Sequence, residues 1–125
     1  NAGFSTGQPW LAVNPNYQSI NVQEVLANQD SIFYTYQKLV QIRKENSWLI
    51  QADFELLETT DKVFAYIRKD GGRRFLVVAN LSNEEQDLTV EGNVKSVLIE
   101  NTTVQGVFEK QILAPWDAFC VELTD

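Results

Sequence analysis

Val63-Phe-Ala-Tyr-Ile-Arg-Lys-Asp-Gly-Gly-Arg-Arg-Phe-Leu-Val-Val-Ala-Asn80 holds two runs rich in aromatic and β-branched residues, joined at Asp70-Gly71-Gly72. Such runs suit a pleated, half-buried surface, and adjacent glycines supply the positive φ that a tight hairpin turn demands. Two antiparallel strands are expected, from Val63 to Lys69 and from Arg74 to Asn80. Alternation along the first leaves two registers open: either Phe64 and Tyr66 face the core, or Val63, Ala65 and Ile67 do.

The same pattern extends on both sides of this hairpin. Phe54 to Glu58 precedes it across Thr60-Asp61, and Gln86 to Glu91, Val94 to Glu100, Val107 to Leu113 and Ala118 to Thr124 follow it. Turn residues stand between them at Ser82-Asn83, Gly92-Asn93, Asn101-Thr102 and Pro115. Short strands at spacings of about 8 to 12 residues read as an antiparallel β-sandwich or barrel, because βαβ units would need helical patterns between the strands. The expected core comprises Phe64 or its neighbours on that strand, Phe75, Val77, Val90, Leu98, Ile112, Phe119, Val121 and Leu123. Cys120 and Glu122 fall on the opposite face of the last strand.

Upstream of Asp53 the periodicity is different. Gly3, Gly7, Pro9 and Pro15, with Asn14 and Asn16 beside Pro15, break any regular pattern in residues 1–20. This is a long loop, yet it carries Phe4, Trp10, Leu11, Val13, Tyr17 and Ile20, which suit a segment that packs on something better than a free tail. Asn21-Val-Gln-Glu24 has the form of a capping box and predicts a short helix to about Asn28. Asp30 or Ser31 offers a second N-cap. Beyond it Ile32, Phe33, Tyr36, Leu39 and Val40 recur at helical spacing and mark one apolar stripe of a helix running to about Asn46. Arg43 lies on that stripe, so a fixed polar contact is expected for it.

Composition narrows the function. With 10 Lys+Arg against 17 Asp+Glu the net charge is −7, which disfavours a phosphate backbone or an anionic membrane as partner. A length of 125 residues, 44% of them hydrophobic, suits one domain with an appendage. No apolar run reaches the roughly 18 to 20 residues of a membrane-spanning helix. The lone Cys120 has no internal disulfide partner, and a reducing, cytoplasmic setting is expected. The absence of histidine excludes Ser/His/Asp and Cys/His catalysis within these residues and any zinc site of familiar spacing. Gly71-Gly72 precedes a strand instead of a helix, so nothing supports nucleotide binding, and no cofactor is expected.

Carboxylates are plentiful, and glycoside hydrolysis uses two of them, but the pair must flank a pocket at a controlled separation. Glu84, Glu85 and Asp87 are expected as a solvated cluster in a turn. Asp53, Glu55 and Glu58 are expected on the outer face of the first strand. Three tryptophans, Trp10, Trp48 and Trp116, could form sugar-stacking platforms. Trp48 is placed to plug the joint between helix and sandwich. Trp116, after Pro115, either caps the end of the sandwich or projects outward.

Taken in order, Asn1 to Asn21, Asp30 to Glu45, Val63 to Arg68, Phe75 to Asn80 and Leu113-Ala-Pro-Trp-Asp-Ala118 resemble the C-terminal part of α-glucosidases of glycoside hydrolase family 13, the oligo-1,6-glucosidase and dextran glucosidase type. The resemblance covers essentially the whole chain. It implies that residues 1–50 are the end of a catalytic (β/α)8 barrel, with its final loop and helix, and that residues 51–125 are the C-terminal β-sandwich domain of α-amylase-type enzymes. It implies a parent enzyme that hydrolyses α-linked gluco-oligosaccharides with retention, through a carboxylate nucleophile and a carboxylic acid lying upstream of Asn1. No catalytic, cofactor-binding or metal-binding residue carries over to this segment. Its expected role is to support the barrel of the same polypeptide, with Trp10 the tryptophan nearest substrate in the intact enzyme. A non-catalytic sugar-binding or interaction module is the alternative. If the barrel face is missing, the fragment is expected to self-associate or to carry a loose N-terminal segment.

Overall fold

A computed structural model of the chain describes residues 5–102, 104 and 110–124. The chain divides into two compact units, residues 1–41 and 42–125.

The second unit is built on an antiparallel sheet of five strands. These are β1 (Asp53–Leu56), β2 (Val63–Asp70), β3 (Arg73–Asn80), β5 (Asn93–Glu100) and β7 (Ala118–Thr124), in the order β1-β2-β3-β7-β5. A second sheet pairs β4 (Gln86–Leu88) with β6 (Gln111–Leu113). The hairpin between β2 and β3 closes with Asp70 opposite Arg73. Gly71 and Gly72 sit at φ 53° and 87°, the backbone that makes glycine necessary in a two-residue turn.

Register decides which side chains meet. Ala65 pairs with Val78, Ile67 with Leu76, Leu76 with Val121 and Val78 with Phe119, so these residues share one face with Val63 and Leu123. Leu88, Val90 and Leu113 join them in a single buried cluster. The core is therefore the space between the five-stranded sheet and the short β4–β6 sheet. Asn80, also buried, ends this face. Its Nδ2 donates to the carbonyls of Glu84 at 2.8 Å and Ala114 at 2.9 Å, and its Oδ1 accepts from the Ser82 amide at 3.1 Å and hydroxyl at 2.8 Å. One amide thus ties two loops, residues 81–85 and 114–117, to the end of β3.

Several sequence expectations change in the structure. The open register of β2 resolves to Val63, Ala65 and Ile67, leaving Phe64 exposed. Phe75 is buried and Val77 half-buried, but both face away from the core, because Phe75 pairs with Glu122 and Val77 with Cys120. Leu76 and Val78 take the core positions. Ile112 is 66% exposed because it sits opposite Asp87, while its neighbour Leu113 turns inward. Leu98 is half-buried. The first strand is inverted: Phe54 and Leu56 lie on the outer face of the five-stranded sheet, while Asp53 and Glu55 lie on the side of the second sheet. Glu55 forms an ion pair there with Lys69. Asp87 belongs to β4 and pairs with Lys110 at 3.1 Å. Of the strand expected from Val107 to Leu113, residues 107–109 lie outside the described residues.

The first unit follows its local signals. Asn14 caps a 3-10 turn over Pro15–Gln18. Asn21 caps helix α1 (Val22–Ala27), its side chain accepting from the Glu24 amide at 2.9 Å. Helix α2 (Ile32–Glu45) begins at Ser31, whose carbonyl accepts from the Thr35 amide and whose hydroxyl donates to Val25 O at 2.7 Å. Tyr34 donates to Leu26 O at 2.9 Å, holding α1 against the start of α2. Ser31 is the one buried residue among the described residues of this unit. The apolar stripe from Ile32 to Val40 is exposed throughout. Arg43 is exposed with it, and the fixed contact expected there is not made among the described residues. Arg43 and Lys44 instead occupy the last turn of α2, where a cation favours the negative end of the helix dipole. Phe4 lies outside the described residues.

Candidate functional site

The most constrained cluster of side chains lies where the chain enters the β-sheet. A 3-10 turn over Ser47–Ile50 is followed directly by β1. Trp48 lies over Phe75 with ring centroids 4.0 Å apart and planes 24° from parallel, and its Nε1 donates to Asn46 Oδ1 at 2.9 Å. The Arg73 guanidinium lies 4.6 Å from the Phe75 centroid and 5.2 Å from that of Trp48. Cation–π contact of this kind is worth on the order of 0.5–2 kcal/mol, depending on desolvation. Arg68, from the middle of β2, donates to the carbonyls of Leu49 at 2.8 Å, Ala52 at 2.7 Å and Asp53 at 3.2 Å. A planar guanidinium can serve several carbonyls of one bend at once, which an ammonium on a flexible stem does less well.

Glu122 anchors the far side of this cluster. It is buried, and its carboxylate takes Arg73 Nε at 3.1 Å and Lys95 Nζ at 3.0 Å. The Arg73 hydrogen bond, then the one from Lys95, together with both charges, holds this carboxyl below its ordinary value against the opposing effect of burial. A carboxylate held ionised between two cations is a poor proton donor. Glu55 and Glu84 are likewise lowered by their hydrogen bonds to Lys69 and Lys62, so none of these groups resembles a general acid.

The sequence candidates separate clearly. Trp48 plugs the joint, as its position suggested. Trp116 projects outward, 61% exposed, at φ 66°, an uncommon backbone for an aromatic residue. Its turn is held by the Trp116 amide donating to Ser82 O at 3.2 Å and by Asn101 Nδ2 donating to Trp116 O at 2.9 Å. Trp10 is 92% exposed. Among the described residues, no ring contact joins two of the three indoles. Among the described residues no group of three His, Cys, Asp or Glu could hold a metal ion. Burial pushes the Cys120 thiol up to about 11, so it stays protonated near neutrality. Among the described residues, no helix is long and apolar enough to cross a membrane. Arg68, which fastens the joint, was missed by sequence reasoning, because a lone arginine in a strand carries no local signal of the carbonyls it will meet.

A five-stranded antiparallel sheet capped by a short second sheet, entered through a helix and an aromatic joint, is the architecture of a C-terminal domain of the α-amylase class. Residues 54–119 match the maltogenic amylase C-terminal domain, and residues 1–52 match the α-amylase catalytic domain. The chain belongs to this family of maltogenic-amylase C-terminal domains, preceded by the end of an α-amylase-type catalytic domain. It is 87% identical over 123 residues to a glucan 1,6-α-glucosidase of Streptococcus pneumoniae, an alignment covering 98% of this chain and 23% of that protein. It is 40% identical over 128 residues to an oligo-1,6-glucosidase of Bacillus cereus, again covering 98% and 23%. The crystal structure of a trehalulose synthase from Pseudomonas mesoacidophila superposes with a TM-score of 0.89 at 31% identity, covering 99% of this chain and 23% of that one. The chain thus spans about a quarter of the length of the relatives that it matches.

Proposed function

We propose that these 125 residues are the non-catalytic C-terminal segment of a retaining α-glucosidase that hydrolyses α-linked gluco-oligosaccharides, and that the segment supports the catalytic barrel of its own polypeptide. The observation that carries this reading is the clamp of Arg68 on Leu49, Ala52 and Asp53, reinforced by Trp48 on Phe75. The match to a catalytic domain ends at residue 52, where the clamp sits. The sheet thereby holds the segment in which that match ends. Residues 1–50 are assigned to the barrel and 51–125 to the sandwich. The same fold accompanies proteins named for a glucosidase and for a trehalulose synthase, which fits a unit that does not itself select the reaction. No residue of this segment is assigned a catalytic, cofactor or metal role. A cytoplasmic location belongs to the same reading, with which the free thiol of Cys120 is compatible.

The exposed Trp116 favours a second reading, a sugar-binding module, since a free indole face can stack on a pyranose ring. One experiment separates the two. The 125-residue chain is titrated with isomaltose-type and maltose-type oligosaccharides and assayed with p-nitrophenyl α-glucoside, beside the full-length polypeptide. Support predicts no binding and no hydrolysis by the segment and hydrolysis by the full-length protein. Binding by the segment that Trp116→Ala abolishes would establish the module instead, and hydrolysis by the segment abolished by a substitution within it would overturn both.

A further inference from the structure

We propose that Asp70-Gly71 is a site of spontaneous backbone modification, where the aspartyl residue converts through a cyclic succinimide to isoaspartate with water as the only co-reactant, and that this conversion loosens the aromatic joint around Trp48. It is the one Asp-Gly or Asn-Gly pair in the chain. In the first step the Gly71 nitrogen attacks Asp70 Cγ. The N–Cγ bond forms, a C–O bond of the carboxyl breaks, and that oxygen leaves as water with the amide proton and the carboxyl proton. Water then reopens the ring. Attack at Cγ restores aspartate, whereas attack at the Asp70 main-chain carbonyl leaves the chain running through the side-chain carboxyl, one methylene longer.

The hairpin presents both reacting groups free. Among the described residues the Gly71 amide donates no hydrogen bond, and the Asp70 carboxyl neither accepts one nor forms an ion pair. Gly71 is exposed, and nothing lies within 4 Å of where a Cβ would stand, so no side chain obstructs the approach. Asp70 and Arg73 are the last pair of the β2–β3 ladder. The end of a ladder opens at little cost, which supplies the rotation that an extended aspartate needs to close the ring. An open cleft lined by Asp70, Gly71, Gly72 and Arg73 admits water. The nearest competitors, Asn46-Ser47 and Asp30-Ser31, also precede a small residue, but both are tied. Asn46 Nδ2 donates to Ile42 O at 2.8 Å and its Oδ1 accepts from Trp48 Nε1 at 2.9 Å, while the Ser31 amide donates to Asn28 O at 3.1 Å.

The consequence falls on Arg73. A two-residue turn fixes the register of the strands that it joins, and a longer main chain between Asp70 and Gly71 breaks the pairing of Asp70 with Arg73. Arg73 Nε donates to Glu122 at 3.1 Å, and its guanidinium lies 4.6 Å from the Phe75 centroid and 5.2 Å from that of Trp48. Displacing the residue that ends the turn withdraws this cation from the carboxylate and from both rings.

The full-length polypeptide is aged in its folded state in heavy-oxygen water and digested with trypsin. The peptide Asp70–Arg73 should gain heavy oxygen, and become a substrate for an isoaspartyl methyltransferase, before the peptides that hold Asn46 or Asp30 do. Asp70→Glu, whose longer side chain closes a less favourable ring, should abolish the label and leave melting unchanged. Asp70→Asn passes through the same succinimide with ammonia as the leaving group, and should lose its amide sooner than Asn46 does. Three results overturn the modification site: no label at Asp70, label only after denaturation, or an Asp70→Asn variant that keeps its amide as long as Asn46 does. In the fraction that contains isoaspartate, Trp48 should react faster with hydroxyl radicals, while the already exposed Trp116 stays the same. An unchanged Trp48 in that fraction overturns the link to the joint. These outcomes do not depend on the support reading, which fails separately, by sugar binding or hydrolysis in the segment.

Discussion

The two units of this chain contain similar kinds of residue and use them differently. In residues 42–125, register brings Ala65, Leu76, Val78 and Val121 together and removes each almost completely from water. In residues 1–41, Trp10, Leu11, Ile20, Ile32 and Leu39 stay exposed, and so do Val22 and Leu26 on α1, although Asn21 caps that helix. Caps and turn residues act within a few positions of the backbone and need no distant partner. A core needs a second surface. The sheet supplies its own through β4 and β6, whereas the helix stripe has none among the described residues of its unit.

The largest expected contrast comes from paired truncations. Leu76→Ala removes a side chain with no exposure and should cost roughly 2–5 kcal/mol in a urea titration. Leu39→Ala, on the exposed stripe of α2, should cost about 0.5 kcal/mol or less in the same chain. Equal losses would mean that the stripe is buried in solution and that the contrast between the units is false.

A second contrast is kinetic. Opening a segment without buried contacts costs almost nothing, while opening a core strand approaches the global stability. Proteases should remove residues before about 30 while the sheet remains intact, or light scattering should show self-association through the apolar stripe. A strict monomer whose first thirty residues resist cleavage as well as the strands do would break the comparison.

Glu122→Gln sharpens the account of the joint. Losing a buried carboxylate bridged by Arg73 and Lys95 should cost about 1–3 kcal/mol. Because the folded-state value lies below the ordinary 4.5, the stabilisation is complete above that value and disappears as pH falls through the lowered one. The stability difference between native and variant proteins should therefore shrink only below about pH 4.5. A difference that persists unchanged to the acid limit would point to packing as its cause.

The smallest effect is expected at Arg43. With the side chain exposed, Arg43→Leu should change stability by no more than about 0.5 kcal/mol, through loss of a helix-terminal charge. A loss several times larger would restore the fixed contact that its position on the stripe suggested.

How far the sequence was legible follows the range of each interaction. The glycine pair at 71–72, the Asn21 cap and the alternation of short apolar runs identify the hairpin, the first helix and the mainly β class, because each is a local steric or hydrogen-bonding preference. The plug at Trp48 was also readable, from its place just beyond a helix. The core face was not: Phe75 and Leu76 are adjacent and equally apolar, and only pairing of Leu76 with Val121 and of Phe75 with Glu122 assigns them to opposite sides of the sheet. Ile112 and Leu113 pose the same ambiguity, resolved by Asp87 standing opposite Ile112. Arg68, Glu122 and Asn80 are single polar residues in apolar strands, and their roles exist only once carbonyls and charges from distant positions converge on them. Local chemistry thus determined the elements and, through resemblance, the family; tertiary structure decided which face is core, how the entry segment is fastened and which apolar surface is left open, since each depends on contacts between residues far apart in the chain.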